Sequence, residues 1–178
     1  MNGNSHFMFG AAVGYTTMQM INTFSIPQIA NIPTPQISPE SAAYFTVCMI
    51  STCLIGSIAP DIDNPNSHFG RLTAPFSNII GSFGGENEKH RGIFHDLALY
   101  LIGGGLSYFF YLPLIGFFIG AFSHLFLDAF NPSGVRFFGM RIRLAKFRSG
   151  GKSAKVLASI FTGLTLAFGI YLQFFYKG

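Results

Sequence analysis

Two runs without a single charge constrain this chain more than anything else in it: Val156 to Tyr176, 21 residues, and Ser41 to Ala59, 19 residues. A helix rises about 1.5 Å per residue, so about 20 apolar residues cross the roughly 30 Å hydrocarbon core of a bilayer. Both runs match that length. The composition agrees, because 22 phenylalanines, 49% hydrophobic residues and only 10% charged residues do not describe a water-soluble domain.

A third apolar region, Leu97 to Phe130, is too long for one crossing and carries Pro113 near its centre. A proline inside a helix removes a hydrogen bond and clashes with the preceding turn, so the region reads as a helical hairpin, Leu97–Tyr111 and Leu114–Phe130. A shorter run, Phe7 to Ile21, precedes them. The expected architecture is an all-α polytopic membrane bundle, one integral membrane domain over residues 1–178. Its five expected spans lie near residues 7–21, 41–59, 97–111, 114–130 and 156–176. Met1 to Met20 holds no Lys or Arg, so it lacks the basic start of a cleavable signal and is expected to stay in the mature protein. Cys48 and Cys53 sit in one apolar run and are expected to be reduced packing residues.

The formal charge of +4 is unevenly placed. Seven of the eleven cations (Arg136, Arg141, Arg143, Lys146, Arg148, Lys152 and Lys155) fall between two apolar runs with no acid among them. The positive-inside rule accounts for such a loop better than nucleic-acid binding does, and no nucleic-acid partner is expected. The loop should lie in the cytoplasm near anionic headgroups. Residues 22–40 carry Pro27, Pro33, Pro35 and Pro39 but no Lys or Arg, and are expected outside. Alternation then places the N-terminus and residues 60–96 inside, and the Pro113 turn and C-terminus outside.

That orientation, set without the acids or histidines, brings His6, Asp61, Asp63, His90, His95, Asp96, His124 and Asp128 to the cytoplasmic side. Asp61, Asp63 and Asp128 stand at helix C-termini, where the macrodipole already disfavours negative charge, and a divalent cation would reverse that penalty. His124 and Asp128 are four residues apart, on one helical face, a spacing that lets two side chains hold one metal. Imidazole with carboxylate suits Zn²⁺, Mn²⁺ or Fe²⁺ over Ca²⁺ or Mg²⁺, with zinc first and manganese second. The bland alternatives are a hydrogen-bonded His124–Asp128 pair, a turn capped by Asp61 and Asp63, and Asp96 as a helix N-cap. His68 shows no partner in the sequence and reads as a loop residue.

Three motifs in order, Gly56-Ser-Ile-Ala-Pro-Asp61-Ile-Asp63-Asn-Pro-Asn-Ser67, His90-Arg91-Gly92-Ile-Phe-His95-Asp96 and Ser123-His124-Leu-Phe-Leu-Asp128, with His6 upstream, carry a family likeness. Together they resemble the LexA-regulated, membrane-bound metal-dependent hydrolases of YdjM type. A weaker likeness, through His6, Asp61 and the His-x3-Asp pair, is to zinc-dependent phospholipase C. The resemblance implies a bacterial-type inner-membrane protein with hydrolase activity. On this reading His6, Asp61, His90, His95, His124 and Asp128 are the candidate metal ligands, for one or two ions. Asp63 is a bridging ligand or the general base. Arg91, whose guanidinium fork matches phosphate, is the candidate for holding an anionic substrate oxygen, against a plain positive-inside anchor. The location favours membrane lipids as partners and a lipid or other phosphoester as substrate. The rival readings are a metal or proton transporter and a noncatalytic metal-binding membrane protein. Substrate, metal count and oligomeric state are not legible from the residues.

Overall fold

The computed structural model describes residues 3–24, 39–64, 67–82, 93–110, 112–148 and 150–176. Five longer helices dominate: α1 (Gly3–Phe24), α2 (Pro39–Gly56), α5 (Leu97–Phe110), α6 (Ile115–Asp128) and α7 (Lys152–Phe174). Between α2 and α5 lie a 3₁₀ turn (Ala59–Asp63), two short helices α3 (His68–Leu72) and α4 (Ala74–Ser82), and a second 3₁₀ turn (Ile93–His95). A two-stranded hairpin, β1 (Val135–Phe137) and β2 (Met140–Ile142), separates α6 from α7.

The helices extend beyond the apolar runs at both ends of the chain, because backbone hydrogen bonding does not require apolar side chains. Thus α1 begins at Gly3 and holds His6 within its second turn, and α7 begins at Lys152, four residues before the uncharged run. The break between α5 and α6 falls where Pro113 requires it, in a 3₁₀ turn over Leu112–Leu114. Among the described residues α7 alone has both the length and the apolarity to cross a membrane unaided. Ala43–Gly56, Leu97–Ser107 and Ile115–Asp128 are apolar but shorter.

Two features depart from expectation. His68, expected in a loop, instead opens α3, whose N-cap Ser67 accepts from the Gly70 amide at 2.7 Å. The basic segment is not all loop either. β1 and β2 pair antiparallel across a two-residue turn, with Phe138 at φ 48° and Gly139 at φ 79°. Phe is a poor left-handed residue, so the sequence carries no ordinary signal for this turn. After the hairpin the chain folds back on α6, where the Leu144 amide bonds Ala129 O at 2.8 Å and the Phe147 amide bonds Phe130 O at 3.0 Å. Both bonds satisfy carbonyls just past the helix end.

Packing is set by small residues. α1 lies against α2, α6 and α7, and α6 lies against α2 and α5. On α6, Gly116 and Gly120 are four apart, and a Cβ on either would run into the backbone of Met49 or Cys53 on α2. Gly56 meets the backbone of Phe117 in the same way, and Gly10 of α1 meets Ser57. Such small-residue contacts bring helix backbones close where apolar surroundings supply no hydrophobic drive for association. Hydroxyls then bridge the helices: Thr52 donates to Pro113 O at 3.0 Å and Thr16 to Thr165 O at 2.7 Å. Cys53 is a buried free thiol whose Sγ lies 3.4 Å from Gly10 O, and Cys48 is also free, as expected.

Candidate metal centre

The close approach of α2 and α6 builds the site. It carries the α2 terminus to His124, whose Nδ1 donates to Ser57 O at 2.8 Å. With that nitrogen engaged as a donor, Nε2 is left with its lone pair free, and among the described residues this buried atom has no hydrogen-bond partner. One turn on, α6 ends at Asp128, four residues from His124 and on the same face.

Three further segments aim at the bare nitrogen. The chain leaves α2, turns at buried Pro60 and enters the 3₁₀ helix that carries Asp61. Asp61 Oδ1 lies 3.7 Å from His124 Nε2 and 3.9 Å from His95 Nε2. Asp128 Oδ2 lies 3.8 Å from each of the same two nitrogens. His6, from α1, stacks on His124 with ring centroids 3.7 Å apart and puts Nε2 3.3 Å from Asp128 Oδ1. The donor atoms of His6, His124 and Asp128 lie within 4.8 Å of one another, as do those of Asp61, His95 and His124. Two trios therefore share His124.

These donors fit a divalent transition ion. Tetrahedral zinc with bonds of 2.0–2.2 Å places its ligand atoms about 3.4 Å apart, so separations of 3.7–3.9 Å need only a few tenths of an ångström of closure. With neutral imidazoles the two carboxylates leave the cluster at −2, the charge that one divalent cation cancels. Without a cation, burying two carboxylates this close is costly. Burial raises the Asp61 pKa from its ordinary 3.8, and the neighbouring Asp128 carboxylate adds to that. The side chains of His6, His95, His124 and Asp128 are at most 4% exposed, whereas Asp61 is 23% exposed. Among the described members of the cluster, Asp61 is the most exposed.

The chain matches the family described as YdjM inner membrane protein over residues 1–173. It belongs to that family. It is also 31% identical over 152 residues to the Bacillus subtilis (strain 168) "Uncharacterized protein YvsG", covering 79% of this chain and 91% of that one. No solved structure matches.

Of the ligand candidates in this YdjM-family protein, the structure brings together His6, Asp61, His95, His124 and Asp128. His90 and Arg91 lie outside the described residues, and Asp63 is described only in its backbone, within the Ala59–Asp63 turn. Asp96 is excluded from the cluster by its bonds. Its Oδ1 accepts from the Ala98 amide at 2.9 Å, capping α5, and from the Phe138 amide at 3.2 Å, while Oδ2 accepts from the Gly139 amide at 3.2 Å. Asp96 therefore ties the hairpin tip to the start of α5.

Two supporting groups escaped the sequence reading. Asn131, fully buried, donates from Nδ2 to Asp128 Oδ1 at 2.5 Å and holds that carboxylate in place. Its position three residues beyond Asp128 was the one available signal. The Ser57 carbonyl had none, because any residue supplies a carbonyl and only the approach of the helices selects this one.

Proposed function

We propose that this YdjM-family protein is a membrane-embedded, metal-dependent hydrolase that cleaves a phosphoester of a lipid substrate at the cytoplasmic face. The observation that carries this reading is the buried cluster of three imidazoles and two carboxylates around the bare Nε2 of His124, with Asp61 its most exposed member. A divalent ion held there, with zinc first and manganese second, supplies Lewis acidity and activates water near neutral pH.

The chain's own groups divide the remaining work. His124, fixed by Ser57 O, presents one nitrogen in one orientation, and Asn131 and His6 orient Asp128 from the other side. Asp61, the most exposed of the five, lies nearest the incoming substrate. Asp63 bridges or acts as general base, His90 adds a ligand from the segment before His95, and Arg91 holds a substrate phosphate oxygen.

The same reading makes α1, α2, α5, α6 and α7 five spans. At about 1.5 Å per residue, α5 and α6 with 14 residues each reach about 21 Å, short of the hydrocarbon thickness. Two facts support their crossing as a hairpin: the turn is itself apolar at Leu112, Pro113 and Leu114, and Thr52 satisfies the Pro113 carbonyl. Exposed Leu101, Ile102 and Leu106 on α5, and Val156, Ile160 and Leu164 on α7, would be unfavourable in water and suit lipid.

The test incubates reconstituted protein, loaded with Zn²⁺ or Mn²⁺, with a panel of lipid phosphoesters beside an Asp61→Asn control. We expect hydrolysis of at least one, reduced about 100-fold or more in the control, as for loss of a direct metal ligand. No turnover above that control, with metal flux across the same vesicles, would replace this reading with the transporter.

A further inference from the structure

The segment joining α6 to α7 is pinned at the level where α6 ends and α7 begins. The Leu144 and Phe147 amides bond the carbonyls of Ala129 and Phe130, just past the α6 terminus, and α7 starts at Lys152. The tip of the β1–β2 hairpin is held as well, by the Asp96 carboxylate at the start of α5. Its register decides what each face shows. Residues directly opposite across an antiparallel pair share a face, and side chains alternate along each strand. Val135 with Ile142 and Phe137 with Met140 therefore form one face, and Arg136 with Arg141 the other.

The protein uses only part of the apolar face. Val135 is buried in the core beside Tyr100, Leu125 and Ala129, whereas Met140 and Ile142 are exposed, as are Phe138 at the tip and Leu144 beyond the strand. The cations also face outward. Arg141, Arg143, Lys146 and Arg148 are exposed, and among the described residues none of the four pairs with a carboxylate. No acid follows Asp128 in the chain. Nucleic acid would match the cations and leave the apolar side chains in water. An anionic bilayer surface matches both, because its phosphates lie directly above an apolar boundary.

We propose that the β1–β2 hairpin and the residues up to Arg148 dock on anionic phospholipid headgroups of the adjacent leaflet, with Met140 seated at the acyl boundary and Arg141 and Arg143 on lipid phosphates. Binding of this kind combines buried apolar area with attraction to anionic lipid, and an arginine stem reaches from apolar depth to the phosphates. The membrane is the occupant because the segment leaves one helix read as a span and enters another within its own length. The proposal goes beyond the hydrolase reading: it rests on α6 and α7 crossing the bilayer, and not on the metal or on turnover.

The chain contains no tryptophan, so a single introduced Trp reports one position. Full-length Met140→Trp protein is reconstituted in phosphatidylcholine vesicles with and without an equal part of phosphatidylglycerol, the same share of lipid being brominated close to the headgroup. Leu164→Trp, exposed midway along α7, is the reference for a spanning helix, read with lipid brominated near the acyl terminus. Bromolipid should quench Met140→Trp about twofold or more with phosphatidylglycerol present and much less without it. Adding Arg141→Gln and Arg143→Gln should bring the first value down to the second, because each cation at an anionic surface contributes a factor of about five in binding. Equal quenching in both vesicle types, or quenching unchanged by loss of both arginines, overturns the recognition of anionic lipid. Met140→Trp that yields to water-soluble acrylamide and not to bromolipid, while Leu164→Trp is quenched, places the hairpin in water or against another macromolecule and sinks this proposal alone. An unquenched Leu164→Trp sinks the spanning reading and this proposal with it. None of these readouts depends on turnover, so the hydrolase reading stands or falls by its own assay.

Discussion

His124 is the hinge of the site because its two nitrogens do different jobs. Nδ1 is committed to Ser57 O and Nε2 is aimed, bare, at the carboxylates of Asp61 and Asp128. Replacing it with alanine removes the donor that both trios share. Purified wild-type protein should retain about one or two transition-metal ions per chain, and His124→Ala should lose most of them, as read by elemental analysis under chelator-free conditions. Asn131→Ala leaves every direct donor in place but frees Asp128 to reorient, so metal affinity should fall about 10- to 100-fold by competition with a chelator. Wild-type protein that purifies without metal would defeat the assignment, and an Asn131→Ala variant with unchanged affinity would remove Asn131 from the support of Asp128. The His-x3-Asp spacing of this pair was legible from the sequence because helical periodicity puts residues four apart on one face. The tautomer was not, since it depends on a carbonyl 67 residues away.

At the scale of elements, the hairpin β1–β2 owes its position to Asp96. One carboxylate caps α5 and takes both amides of the left-handed turn at Phe138 and Gly139, while an isolated bridge joins Asp96 to Arg136. Asp96→Ala should cost about 1 kcal/mol from the lost cap alone and somewhat more with the turn bonds, read in a denaturant melt in detergent. Asp96→Asn keeps an acceptor for the cap and should recover part of it. Metal content should not change in either variant, because Asp96 stands outside the cluster; loss of metal in Asp96→Asn would contradict that. Its reading as an N-cap was available from its place before an apolar run. Its second role was hidden, because it joins residues 42 and 43 positions apart through a turn that Phe138 does not advertise.

For the whole molecule, the proposed orientation turns on the contrast between residues 22–40, which carry no Lys or Arg, and the segment 136–155, which carries seven. A cysteine placed at Asn31 should be labelled by a membrane-impermeant reagent applied to intact cells, and one placed at Lys146 should be spared until the membrane is opened. The opposite pattern would move the cluster to the other face and with it the accessible pool of substrate. Lys146 is exposed, so protection there reports the membrane rather than the fold. The match to the family covers residues 1–173, so the cluster, the hairpin and all of α7 but its last residue fall within the shared region.

By itself the sequence determined a helical, membrane-resident chain, the break at Pro113, the excess of positive charge in one loop, and the residue types able to bind a metal. Each of these is local: it depends on hydropathy along a run, on a ring that lacks an N–H, or on a spacing within one helix. Only the tertiary structure decided that Asp61 and Asp128 converge while Asp96 turns away to cap a helix. It also selected the Ser57 carbonyl as the partner of His124. Those outcomes depend on how closely α1, α2 and α6 approach, which Gly10, Gly56, Gly116 and Gly120 permit. The pairing of such small residues across helices is not written in the spacing of either helix alone.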